Sequence, residues 1–129
     1  MDDSNTGATD DTKRLISRVF EEIWNQGNVQ VANEIFAEGY IADPGNGDQM
    51  TTHSLRETVL NQRAISPQLH YVVNQFIVEG DLVATRWTGT GIRLDGATVS
   101  RWGMTMWRIS NSRITEAWVL TSTASPLHL

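Results

Sequence analysis

The chain has 129 residues, 40% of them hydrophobic and 19% charged, with a formal net charge of −5, as is common in single globular domains. The acidic balance and the lack of a lysine or arginine cluster exclude the basic face that nucleic acid or an anionic membrane requires, so neither is expected as a partner. The absence of cysteine excludes disulfides, a thiolate nucleophile and cysteine-ligated metals.

The N-terminal segment "MDDSNTGATDD", residues 1–11, is polar and rich in Gly, Ser, Thr and Asp. This composition predicts a disordered leader, followed by one domain over residues 12–123 and a tail over residues 124–129. No apolar run resembles a signal peptide or is long enough to span a bilayer, so a cytoplasmic protein is expected.

Two helices are predicted in the first third of the chain. In "DTKRLISRVFEEIWNQGN" the apolar residues recur at helical spacing: Leu15, Ile16, Val19, Phe20, Ile23 and Trp24. Asp10 or Asp11 can cap the start of this helix, and Gly27 supplies a stop. Asn28 can cap a shorter second helix that ends at Gly39. The apolar residues of that second helix are Val31, Ala32, Ile35 and Phe36.

The rest of the chain predicts a third helix and then a sheet. "SLRE", Ser54 to Glu57, matches a capping box and opens a helix with Leu55, Val59 and Leu60 inward. After Pro67, four segments rich in β-branched and aromatic residues are separated by turn sequences such as Asp95-Gly96. The pattern predicts an α+β domain in which three helices cover one face of a four-stranded antiparallel meander.

The third predicted strand carries large residues on both faces. Ser100, Trp102, Met104 and Met106 share one face, and Arg101, Gly103, Thr105, Trp107 and Ile109 share the other. A sheet that is apolar on both sides requires two coverings, so a homodimer through the outer face is expected, motivated by Trp107, Trp118 and Leu120. A strongly curved sheet that hides part of both faces is the alternative.

Three segments together resemble the SnoaL-like polyketide cyclases of the nuclear transport factor 2-like superfamily, which also holds ketosteroid isomerases. They are "RVFEEIWNQGNVQVANEIFAEGYIADP", "PQLHYVVNQFIVEGDLVATRWTGTG" and "MTMWRISNSRITEAW". The resemblance implies a cone-shaped curved sheet around a deep apolar pocket and a cofactor-free reaction, namely cyclisation, isomerisation or dehydration of a polyketide-, steroid- or terpenoid-like molecule. It implies pocket contacts from these residues: Phe20, Tyr40, Trp87, Ser100, Trp102, Met104, Ala117, Val119 and Thr121.

Asp43 is the candidate general base. The stretch around Asp43-Pro44 resembles the ketosteroid isomerase segment that holds the catalytic base, and a partly desolvated carboxylate gains basicity. Asp-Pro-Gly is equally a turn sequence in which the aspartate bonds to its own backbone. Both interpretations stay open.

The partners that such a base requires are missing from the sequence. The oxyanion donors of the isomerases correspond here to Phe20 and Met104, and the His and Asp on the last strand of the cyclases are replaced in "EAWVLTST". A non-catalytic module that binds an apolar ligand or dimerises is therefore the alternative function.

Other polar residues give no further site. His53, His70 and His128 lack metal-ligand spacing, so neither a metal nor a cofactor is expected. Arg86 and Arg101, on the central strands, are expected to form cross-strand salt bridges on the outer face. The alternative is an arginine between two acids that opens an epoxide.

Overall fold

The computed structural model describes residues 3–43 and 49–122. Helix α1 (Asp3–Arg18) continues as a π-helical segment (Val19–Asn25), and a 3-10 turn (Val29–Val31) precedes the short α2 (Ala32–Ile35) and the longer α3 (Thr52–Ile65). The strands are β1 (Phe36–Asp43), β2 (Met50–Thr51), β3 (His70–Glu79), β4 (Leu82–Ile92), β5 (Thr98–Ser110) and β6 (Arg113–Thr121).

The six strands form one sheet in the order β2-β1-β6-β5-β4-β3. Strands β3 to β6 are the predicted antiparallel meander, and β1 adds to it by pairing in parallel with β6. The predicted α+β architecture is confirmed, with the helices packed on one face of the curved sheet. Among the described residues, no helix combines the length and apolar character needed to cross a bilayer.

The N-terminal boundary differs from the prediction. Helix α1 begins at Asp3, inside the segment 1–11 that was expected to be a disordered leader. Once a helix is nucleated by packed residues such as Ile16, each further residue gains one hydrogen bond, whereas nucleation fixes several residues for one bond, so polar residues can extend the helix. The predicted tail, residues 124–129, lies outside the described residues.

The second predicted helix is shorter than expected, because β1 begins at Phe36. Ile35 and Phe36 are apolar residues that suit the end of a helix as well as the start of a strand. Gly39 has a φ of 80°, a left-handed conformation that glycine adopts readily. The parallel register with β6 shifts between Phe36 and Ile41, so Gly39 lies in an irregular part of β1. Neither β1 nor β2 was predicted.

Helix α3 is capped one turn earlier than predicted. The Thr51 hydroxyl accepts from the Ser54 backbone N–H (3.3 Å), and the Ser54 hydroxyl accepts from the Thr51 N–H (2.7 Å). The capping box is therefore Thr51 to Ser54, which begins the helix at Thr52. Val59 is buried as expected, whereas Leu60 is exposed.

Two hydrogen bonds attach the end of the first helical unit to the sheet. The Asn25 amide donates from Nδ2 to the Tyr71 carbonyl (2.9 Å) and accepts at Oδ1 from the Tyr71 N–H (2.6 Å). The Asn25 amide donates one bond to the Tyr71 backbone and accepts another from it, as the backbone of a neighbouring strand would, and this fixes the start of β3 against the π-helical segment. The buried core lies between these helices and the inner face of the sheet.

Gly103 allows the sheet to pack closely on its inner face. A Cβ atom at this position would lie 2.5 Å from the Leu120 carbonyl oxygen and closer still to the Trp87 ring. A glycine inside a strand commonly marks such a close approach. The Trp87 indole therefore lies directly over the backbone of β5.

We expect Gly103→Ala to destabilise the protein by about 1–3 kcal/mol, because the backbone carbonyl cannot move aside for the added methyl group. The control is Ser100→Ala, an exposed position on the same strand, which should change stability by less than about 0.5 kcal/mol. Urea unfolding followed by circular dichroism measures both. Equal midpoints for the two variants would contradict the close packing at Gly103.

Candidate functional site

A cavity of about 210 Å³ lies between the helices and the inner face of the sheet. Its deep wall is buried and mostly apolar. The half-buried lining residues are Trp24, Met50, Leu55, Arg101 and Val119, and Thr121 is exposed. The mouth of the cavity is therefore at the start of α3 and the facing ends of β5 and β6.

The sheet side of the cavity is held by two buried indoles and two buried threonines. Trp87 Nε1 donates to Thr105 Oγ1 (3.0 Å), and Trp107 Nε1 donates to Thr85 Oγ1 (3.0 Å). Thr85 in turn donates to the Thr105 carbonyl (3.1 Å). The Thr105 hydroxyl accepts from Trp87, and among the described residues its own hydrogen has no acceptor, so it can donate to a molecule in the cavity.

The helical wall comes from the π-helical segment. Its wider turn places Phe20 and Trp24, four residues apart, on the same side, where both line the cavity. Phe20 meets Trp107 edge-on with ring centroids 6.0 Å apart, and Trp24 packs on Tyr71 at 5.0 Å. This wall is aromatic and rigid.

Strand β1 adds a phenol to the cavity. Tyr40 is buried, packs on Phe36 with ring centroids 4.3 Å apart, and its hydroxyl makes no hydrogen bond to any described residue. Burial raises the pKa of Tyr40 above its ordinary value, so the phenol stays neutral and keeps its proton. It is a second donor available to a bound molecule.

Arg101 brings a charge to the cavity lining. Its Nη1 donates to the Tyr71 hydroxyl (3.3 Å) and its Nη2 donates to Gln62 Oε1 (3.5 Å). Burial raises the pKa of Tyr71, and the nearby Arg101 charge opposes that shift. Tyr71 therefore also stays protonated near neutral pH, and its hydrogen is free to be donated toward the cavity.

The structure distributes the predicted pocket residues over two faces. Phe20, Tyr40, Trp87, Val119 and Thr121 line the cavity. Ala117 is buried on the inner face of the sheet, beside Trp107, but is not part of the lining.

Ser100, Trp102 and Met104 lie on the outer face of β5, and the expectation that they form the pocket wall is corrected. Trp102 is 53% exposed, and Met104 pairs across the strands with Arg86 and Leu120, which are also outward. Both faces of β5 carry large side chains, so alternation alone did not tell which face is inside. Trp107, expected on the outer face, is in the cavity instead.

Asp43 is likewise on the outer face. The register pairs Ala42 with Ala117 and Asp43 with Trp118, and it is Ala42 that lines the cavity. Neighbouring residues on a strand point to opposite sides of the sheet, so the expectation that Asp43 points into the pocket is corrected. Asp43 ends β1, next to residues 44–48, which lie outside the described residues.

The described lining contains neither a carboxylate nor an imidazole. His53 is an exposed partner of Glu57 (2.7 Å), and His70 is exposed at the start of β3. His128 lies outside the described residues. Within residues 3–43 and 49–122, no group of three or more potential ligands could hold a metal ion.

Sequence reasoning placed several lining residues elsewhere or left them without a role, among them Trp24, Arg101, Thr105 and Trp107. Arg101 was expected in a salt bridge on the outer face, but its register partner is Gly89 on the inner face. Gly103 could have shown from the sequence which face of β5 is turned toward the core. Because a glycine inside a strand favours close packing, it marks the side of β5 that faces the core, which is also the side of Arg101 and Trp107.

Solved structures share this fold. This chain is 20% identical to wild-type IdmH, a proposed polyketide cyclase from Streptomyces antibioticus. The match covers 85% of this chain and 91% of IdmH, with a TM-score of 0.73. A proposed SnoaL-like polyketide cyclase from Jannaschia is 20% identical, with a TM-score of 0.74 over 87% and 85% of the two chains. AclR, a proposed hydroxylase from Streptomyces galilaeus, is 17% identical, with a TM-score of 0.75 over 85% and 87%.

The sequence comparisons identify the family. A search of curated protein sequences finds no match. The profile of the SnoaL-like domain matches residues 16–117, which include α3, strands β1 to β5, the first part of β6 and most of the cavity lining. The resemblance inferred from the sequence is thereby confirmed, and the chain belongs to the SnoaL-like domain family.

Proposed function

We propose that this protein binds a small, largely apolar molecule that carries a hydrogen-bond acceptor. The observation behind the proposal is the lining itself, an aromatic wall with hydroxyl donors from Tyr40, Tyr71 and Thr105. Apolar pockets with a few convergent polar groups are the usual form of small-molecule sites. A carbonyl oxygen would accept from these donors while its hydrocarbon part contacts the rings.

The cavity volume limits the size of the ligand. At about 210 Å³ it is larger than the roughly 150 Å³ cavity that holds benzene and smaller than the roughly 300–1,000 Å³ of pockets for drug-sized ligands. A molecule with one or two fused rings matches this volume, and a four-ring steroid exceeds it. The proposed ligand is therefore smaller than the polycyclic molecules considered from the sequence.

The donors suit binding and polarisation of a carbonyl group rather than proton abstraction. Tyr40, Tyr71 and Thr105 would stabilise negative charge on a carbonyl oxygen, as an oxyanion hole does. Abstraction of a proton also needs a base within hydrogen-bond reach, and the described lining offers none. We therefore favour a ligand-binding role over a cyclase that uses Asp43 as its base.

We expect the protein to bind 2-naphthamide, a neutral two-ring amide, in isothermal titration calorimetry. Val119→Trp places an indole in the cavity and should weaken this binding at least about tenfold. Leu120→Trp is the matched control, since the next residue of β6 points to the outer face, and its affinity should be unchanged. Failure of the wild-type protein to bind, or equal loss in both variants, would contradict the proposal.

A further expectation concerns Asp43→Asn. Because this residue lies on the outer face, the variant should bind 2-naphthamide as the wild type does and unfold at a similar temperature. Differential scanning fluorimetry and the same titration measure both quantities. A large loss of 2-naphthamide binding in this variant would show that Asp43 contributes to the binding site.

We also propose that the protein forms a homodimer through the outer face of β4, β5 and β6. The register brings Met104 beside Leu120, and Met106 beside Trp118, in one apolar surface. Monomers rarely expose a continuous patch of this kind.

We expect Leu120→Lys to shift the protein from dimer to monomer in light scattering at micromolar concentration, because a charge would enter the middle of the apolar surface. Leu94→Lys is the control. Leu94 is 77% exposed in the turn between β4 and β5, outside this surface, and its substitution should leave the dimer intact. A monomeric wild-type protein would remove the dimer proposal.

A further inference from the structure

Arg101 differs from the other described arginines because it lines the cavity. Other arginines form no ion pair among the described residues but do not belong to the lining, namely Arg56, Arg63, Arg86 and Arg113. Arg18, Arg108 and Arg93 each have a carboxylate partner, at 2.6, 2.8 and 3.3 Å respectively. Arg101 forms no ion pair within residues 3–43 and 49–122, although it is half-buried and lines the cavity. Its charge is therefore compensated only by two long hydrogen bonds to neutral groups.

A partly desolvated cation without a counter-ion favours the binding of an anion. The described lining contains no carboxylate that would repel one. A guanidinium group presents its N–H donors in a planar fork that matches the two oxygens of a carboxylate. The site thus supplies a positive charge at the half-buried rim of an otherwise aromatic cavity.

The neighbours of Arg101 hold it in this position. Gln62 on α3 accepts from Nη2 and Tyr71 on β3 accepts from Nη1, so the guanidinium is bound from two sides. Tyr71 accepts with its oxygen and keeps its own hydrogen for donation. An anionic oxygen near Arg101 could therefore accept from Tyr71 as well.

We propose that the ligand is a small aromatic or otherwise flat organic acid, held with its rings among the indoles and its carboxylate at Arg101 and Tyr71. This inference rests on the proposed small-molecule binding and adds the charge of the ligand to it. It also orients the ligand, because the carboxylate lies at the rim beside Arg101 and the hydrocarbon part lies toward Phe20 and Trp107.

The test compares two ligands of the same shape, 2-naphthoate and 2-naphthamide, which differ in charge at pH 7. In isothermal titration calorimetry the wild-type protein should bind the anion at least about tenfold more tightly than the amide. Arg101→Met should remove this preference and keep the binding of the amide. Arg101→Lys should restore part of the preference, because it returns the charge without the planar fork.

The matched control is Arg86→Met. Arg86 lies on the neighbouring strand β4, is exposed on the outer face and also forms no ion pair among the described residues. Its substitution should leave the preference for the anion unchanged. A loss of preference in Arg86→Met equal to that in Arg101→Met would overturn the proposal, since the effect would then come from net charge.

The two proposals fail in different ways. Equal affinity of the wild-type protein for the two ligands would overturn the acid proposal and leave small-molecule binding intact. Failure of the wild-type protein to bind 2-naphthamide would overturn small-molecule binding and, with it, the acid proposal that rests on it. Circular dichroism of Arg101→Met checks that the variant is folded, and the amide titration checks that its cavity is still formed.

Discussion

The cavity depends on the hydrogen bonds that two threonine side chains make to two buried indoles. Without Thr85 and Thr105, the N–H groups of Trp87 and Trp107 would be buried without acceptors, at a cost of about 1–3 kcal/mol each. With them, the two large rings are held by hydrogen bonds on the inner face of the sheet. Among the described residues, every side-chain nitrogen or oxygen atom that is itself shielded from solvent has a hydrogen-bond partner.

The polar groups of the site are mainly hydrogen-bond donors. Tyr40, Tyr71, Thr105 and Arg101 can all donate, and the described part of the lining offers no carboxylate to receive a proton. Burial keeps the two phenols protonated, which strengthens this bias. The described lining therefore favours a molecule that accepts hydrogen bonds.

The sequence was sufficient for the α+β class and for the four strands of the meander, because turns such as Asp95-Gly96 separate strongly β-forming segments. It did not reveal β1, where a helical spacing ends in a strand formed only through long-range pairing with β6. The side of each residue on β5 could not be predicted from alternation, because Trp102 and Trp107 are equally apolar. Asp43 was expected in the pocket because the face of the sheet on which it lies depends on the pairing of β1 with β6, which the sequence did not reveal.

The parallel pairing of β1 with β6 also affects how the chain folds. Phe36 pairs with Ile114, so one side of the cavity is closed by segments far apart in the sequence. Closing a loop of this length is entropically costly and slow compared with forming the hairpins of the meander. During synthesis β1 can pair only with the two-residue β2 until β6 emerges, so the binding chamber is completed late in folding.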